Sequence, residues 1–184
     1  LLMVLSLSVS YGQKKKSAKK ATPASSEVLA KNGDASVKMN KSKVILIVAK
    51  DTMVLAENKT TAPSNCKVVP VKIKTNTFYC VTWNETAKTD SKLKKEEAAI
   101  VESQIWNPLT KTLLVGNTQK TVKVTEIVFL DRLKTASETQ YKTRNEGYLF
   151  SLLPNGDFSL SNKSATTKYA YNEKSARYEP IKKK

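Results

Sequence analysis

CKVVPVKIKTNTFYCVTW, residues 66–83, holds two β-like segments around a polar joint. Val69, Val71 and Ile73 alternate with Pro70, Lys72 and Lys74, a period of two with one wet face. Pro70 has no N–H to give a ladder, so its strand belongs at an edge or a bulge. KTNT supplies the turn and FYCVTW returns as an aromatic-rich strand, which makes the stretch an antiparallel hairpin.

The segments on either side extend this β reading. Val44 to Val48 in KVILIVAK is a continuous aliphatic run, as in a strand buried on both faces, and DTMVLAENK pairs with it through a tight turn near Lys50 and Asp51. Downstream, TDSKLKKEEAAIVESQIW (89–106) predicts the one helix, Ser91 to Ile105. Thr89, Asp90 or Ser91 offers a cap oxygen, Leu93, Ala98, Ile100, Val101 and Ile105 form an apolar stripe, and Pro108 ends the segment. Beyond it, a turn is expected at Gly116-Asn117 between Leu113-Leu114-Val115 and the alternating Val122, Val124 and Ile127. Asn155-Gly156 predicts a type I′ hairpin, which needs positive φ at both positions.

The fold class expected is therefore mainly β with a minor α part: an antiparallel sheet curled as a small barrel or sandwich, with one amphipathic helix. The closing segments FSLLPNGDFSLSN and KYAYNEKSARYEP are similar in style to the final hairpins of small exported lipocalin-like β-barrel proteins. One domain is expected over residues 41–181, since about 140 residues support a single core.

Residues 14–40 are rich in Lys, Ala, Ser and Thr without a sustained period and read as a basic flexible linker. Residues 1–13 are expected to be a truncated signal peptide. Leu1 to Val9 is too short for a bilayer span of roughly 20 residues but fits the tail of an export h-region. The SYGQ joint resembles export signals common in Bacteroidota, with cleavage expected beside Gln13. The protein is expected to be periplasmic or secreted, with no transmembrane span.

The sequence has no histidine, which removes Ser-His-Asp and Cys-His nucleophile systems and most zinc sites of mixed ligands. Its two cysteines, Cys66 and Cys80, flank the 66–83 hairpin. An even count in an exported chain favours a structural disulfide, against two buried free thiols. The formal charge is +16, but only Arg132, Arg144 and Arg177 among 32 cations are arginine, so bidentate reading of specific DNA is disfavoured. The densest charge, Lys14, Lys15, Lys16, Lys19 and Lys20, is a candidate polyanion-binding tract or a solvated tether.

Phe78, Tyr79, Trp83, Trp106, Phe129, Phe150, Phe158, Tyr169, Tyr171 and Tyr178 are placed to stack bases or sugars, or to form a β core, and the core is the simpler account. No acid pair has the spacing of a carboxylate hydrolase. Catalytic residues, metal ligands and cofactors are therefore expected to be none, and the protein is not expected to be an enzyme. The expected function is that of an exported, non-catalytic cell-envelope protein acting by binding or scaffolding, with an envelope protein or an anionic surface as partner. The alternative is a basic β domain that binds polyanions or nucleic acid.

Overall fold

The structure, a computed structural model, describes residues 27–59 and 62–181. Residues 1–13, expected to be a truncated signal peptide, and the lysine tract expected to be part of a linker fall outside them. Three antiparallel meanders follow one another along the chain. The first sheet holds β1 (Glu27–Asn32), β2 (Ala35–Asn40), β3 (Lys43–Val48) and β4 (Asp51–Ala56). The second is longer: β5 (Ser64–Ile73), β6 (Asn76–Asp90), β7 (Lys94–Asn107), β8 (Thr112–Phe129) and β9 (Ser137–Glu146). The third comprises β10 (Leu149–Leu152), β11 (Phe158–Ser161), β12 (Thr166–Asn172) and β13 (Arg177–Pro180).

The 66–83 hairpin forms as the sequence predicts, with Ile73 opposite Asn76 across the two-residue turn Lys74-Thr75. Pro70 sits on β5, an edge strand, as its missing donor requires. The sheets are open meanders and no closed barrel is present, which corrects the barrel alternative and the likeness to lipocalin-type closing hairpins.

The helix expected over Ser91 to Ile105 is absent, and no helix occurs among the described residues. That stretch is instead the β6–β7 turn followed by β7, paired residue by residue with β6 on one side and β8 on the other. The capping signal was real but serves a hairpin. The Ser91 hydroxyl accepts the Lys94 N–H at 3.1 Å, as a cap would, while the Ser91 N–H closes the turn on the Lys94 carbonyl at 2.9 Å. Ile100 and Val101 are β-branched, and two long neighbouring ladders outweigh the helix propensity of Lys, Glu and Ala.

Two further expectations are corrected. The linker reading of 14–40 does not hold for residues 27–40, which form β1 and β2 around Gly33, whose φ of +59° makes the turn. Gly116-Asn117 is no turn, because β8 runs unbroken through it with Gly116 opposite Gln104. The Asn155-Gly156 hairpin does form, but as a three-residue loop. Gly156 N–H bonds the Leu153 carbonyl at 3.0 Å, Leu153 pairs with Asp157, and of the two central residues only Gly156 has positive φ, +88°. This is a type I turn followed by a left-handed glycine, and it suits Pro154.

The proximal part of the second sheet is the middle of three layers. Its back face presents Val68, Tyr79, Val81 and Trp83 to Val37, Val44, Leu46, Met53 and Leu55 of the first sheet. Its front face presents Val71, Phe78, Cys80 and Ile105 to the aromatic lining of the third sheet. There Phe158 stacks on Tyr169 at 4.9 Å between centroids and meets Tyr178 edge-on at 5.0 Å. The Tyr178 hydroxyl donates to the Gly156 carbonyl at 3.0 Å, so its polar end is satisfied inside the layer.

Cys66 and Cys80 are free thiols on opposite faces of this sheet. Cys66 packs with the back-face core and Cys80 with the front-face core. Side chains that leave a sheet in opposite directions cannot meet the Cβ separation of a disulfide, which corrects the expected bridge. Burial pushes Cys66 up to about 11 and Cys80 up to about 12, so both stay protonated at neutral pH. The intact mass is therefore expected to be unchanged by reductant, and a maleimide at pH 7 should label both thiols rapidly only after unfolding. A gain of two hydrogens on reduction would contradict the placement.

Candidate functional site

The second sheet outruns its two covering layers. Its distal part, from about Asn84 on β6, Lys94–Val101 on β7, Thr118–Phe129 on β8 and all of β9, has only a small core of its own: Ala98, Val122 and Val124, with Ile100 packed against them. Register places all four on the back face, beneath long charged side chains. Glu96 pairs with Lys94 at 2.9 Å and with Arg144 at 3.9 Å, and Lys142 pairs with Glu126 at 3.5 Å. Aliphatic stems of Lys, Arg and Glu shield these small apolar residues, so this face is closed by its own side chains.

The front face differs. Across β8 and β9 it carries Thr121, Thr125, Thr139 and Thr143, with Gln119 and Asn145 nearest the third sheet. Period-two alternation puts every one of these on the same side. The Thr121 hydroxyl donates to the Asn145 side-chain carbonyl at 3.0 Å. At one end of the row, Gln119, Asn145, Tyr148 and the β11–β12 turn line a cleft of about 720 Å³. At the other, Lys95, Lys123, Thr125, Tyr141 and Thr143 line a groove of about 350 Å³.

Tyr141 is 79% exposed and Tyr148 47%. Tyr141 stands opposite Thr125, whereas Tyr148 is tied to the start of the row by the Asn117 amide, which donates to its carbonyl at 2.9 Å. The two anchor points, Asn117 and Thr125, lie roughly 26 Å apart along β8 at the usual rise of about 3.3 Å per residue.

Charge on this face is largely spent internally. Lys88 pairs with Glu97 at 2.8 Å and Lys95 with Asp90 at 3.4 Å. The Lys88 hydrogen bond holds Glu97 below the usual carboxylate range. What remains is a row of hydroxyls and amides, with Lys123 and Ile127 among them, that carries the exposed rings of Tyr148 and Tyr141. Such a surface hydrogen-bonds and stacks, and it presents no nucleophile activated by a base.

The residues singled out from the sequence are distributed otherwise. Lys14, Lys15, Lys16, Lys19 and Lys20 lie outside the described residues. Most of the aromatic set is core: Trp83 is 1% exposed, and Phe78, Phe158, Tyr169, Tyr171 and Tyr178 belong to the layer under the third sheet. Tyr141 and Tyr148 were missed, although Tyr141 interrupts the polar run TQYKTR, where an isolated ring has no apolar neighbours to join in a core; Tyr148, directly before Leu149 and Phe150, carries no such signal.

One acid pair does converge, Glu85 and Glu102, on neighbouring strands of the back face. Burial raises Glu102, with a smaller contribution from the charge of Glu85. Glu85 is fully engaged, however, by Trp83 Nε1–H and Lys59, each at 2.6 Å, and Glu102 accepts the Thr118 hydroxyl at 2.8 Å. Both carboxylates therefore tie structure together. Among the described residues, no group of three or more His, Cys, Asp or Glu is arranged to hold a metal ion, and no helix is long and apolar enough to cross a membrane.

The chain matches no protein-family model, no curated protein and no solved structure.

Proposed function

We propose that this is an exported, non-catalytic protein of the cell envelope, periplasmic or secreted, that works by binding, and that its ligand is an extended, hydroxyl-rich polymer: a glycan strand laid along the front face of the second sheet. The observation that carries the reading is the exposed row from Tyr148 through Thr121 and Thr143 to Tyr141, left uncovered where the same sheet is otherwise layered on both sides. A pyranose ring offers an apolar C–H face to a phenol ring and hydroxyls to threonine and amide side chains, so a face that carries both fits it. Export is supported by Leu1 to Val9 and the small-residue joint after it. A polyanion fits this face less well, because Lys88 and Lys95 are already paired with Glu97 and Asp90, which leaves it chiefly Lys123.

The test is retention on insoluble cell-wall glycan across a salt series, for wild type and Tyr141→Ala. Retention is expected to survive added salt and to fall roughly tenfold in the variant, in line with about 1–3 kcal/mol for a ring stacked on a flat partner. Retention that collapses with salt, and that Tyr141→Ala leaves unchanged, would overturn the glycan reading in favour of polyanion binding through lysines.

A further inference from the structure

The three sheets expose six edge strands, and five of them are blunted. β1 carries a bulge between Val28 and Ala30 and lies along β5, where the Asn32 amide donates to the Val68 carbonyl at 3.1 Å. β5 itself has Pro70 and a bulge between Ser64 and Lys67. β4 is six residues long with an irregular register, and β10 and β13 have four residues each, β13 ending on Pro180. These are the means by which proteins keep sheet edges from pairing with other chains.

β9 has no bulge and no proline and is not short, and the charges it carries, Glu138, Lys142, Arg144 and Glu146, are of both signs. Its ten residues, SETQYKTRNE, contain neither proline nor glycine and run in register with Lys120–Phe129 without a shift, exposed at every position except Gln140. An outer edge this long and regular leaves a row of backbone donors and acceptors without a strand partner.

The sequence of β9 is also complementary to itself. Antiparallel pairing about a twofold axis at Tyr141 sets Glu138 opposite Arg144 of the second copy and Arg144 opposite its Glu138. In the same register Gln140 faces Lys142, Thr139 faces Thr143, Ser137 faces Asn145, and Tyr141 faces its own copy. Moving the axis to Lys142 sets lysine against lysine and Glu138 against Glu146. Moving it to Gln140 leaves Arg144 opposite Ala136, beyond the strand. Within one protomer Glu138 accepts a hydrogen bond from Gln140 and forms no ion pair with a described residue, so it is the charge on this edge that a second copy completes.

We infer that two copies of this chain pair along β9 in the register centred on Tyr141, joining their second sheets into one antiparallel sheet of ten strands. The inference rests on the edge alone and stands whether or not the face binds glycan. Pairing also brings the two Tyr141 rings side by side on the same face and doubles the length of the threonine row.

Sedimentation of the full chain at micromolar concentration tests this. The expected mass is that of two chains. Glu138→Arg and Arg144→Glu each set like charges opposite one another twice and should weaken association roughly tenfold, and the combined swap should restore it. A monomer at every concentration, or a dimer indifferent to both single changes, would overturn the proposal. Amide exchange on the wild type gives a reading that needs no variant. Consecutive protection along β9 is expected in the dimer, whereas protection of alternate residues only, the pattern of a strand bonded on one side, would overturn it.

Discussion

Trp83→Ala is expected to remove about 3–5 kcal/mol of stability, a large share of the roughly 5–15 kcal/mol of an ordinary domain. Trp83 is 1% exposed and lies between the first and second sheets, against the Val37, Leu46 and Leu55 layer. Its loss opens a cavity that strands held by ladders on both sides cannot collapse to fill. It also removes the Nε1–H donated to Glu85, leaving that half-buried carboxylate with Lys59 alone. Trp83→Phe keeps most of the volume and loses the donor, so it should cost markedly less. Urea unfolding followed by far-UV circular dichroism measures both. A loss under about 1 kcal/mol for Trp83→Ala would mean that the first sheet does not rest on this residue.

Gly147→Ala is the second large effect. Gly147 joins β9 to β10 with φ at +77°, and a Cβ there would collide with the Thr118 carbonyl oxygen and sit 3.2 Å from its carbon. Both atoms are backbone and held in the β8 ladder, so the strain has no side chain to give way. A left-handed alanine alone costs about 1–2 kcal/mol, and displacing a strand brings the total to roughly 3 kcal/mol or more. The other positive-φ glycines set a scale. At Gly156 the obstruction is the Ile73 side chain at 2.7 Å, which can move, and at Gly33 the space is open. Alanine at these three positions should therefore destabilise in the order Gly147, Gly156, Gly33. Melting temperatures in any other order would contradict the backbone collision at Gly147.

The β character of the chain was legible in its alternation, and the 66–83 and 153–157 hairpins were legible in their turn residues. Other turns were not announced. Lys41, Ala49 and Lys74 hold φ of 55°, 52° and 53° at hairpin corners, where glycine or asparagine would have given the signal. The opposite error occurred at residues 27–40. Asn32-Gly33, flanked by Ala35, Val37 and Met39 at period two, is a hairpin signature, but the lysine-rich composition before it suggested a tether.

Residues 91–105 misled for a physical reason. Ala98, Val101 and Ile105 sit at helical spacing while Ala98 and Ile100 alternate as in a strand, and only partners distant in sequence, β6 and β8, decide between the two readings. The candidate site was harder to see, because it consists of what the fold leaves uncovered. Nothing in KVTEIVF or SETQYKTRNE says that no layer will pack on Thr125 or Tyr141.

The most direct measurement is a two-dimensional ¹⁵N and side-chain NMR map of the folded protein titrated with soluble oligosaccharides cut from cell-wall glycan. Shifts are predicted to follow the front face, at Thr121, Lys123, Thr125, Tyr141, Thr143 and Tyr148, and to leave the back-face Glu96, Lys142 and Arg144 unmoved. Shifts confined to the back face, or none at saturating oligosaccharide, would contradict the claim that the uncovered front of the second sheet is the binding surface.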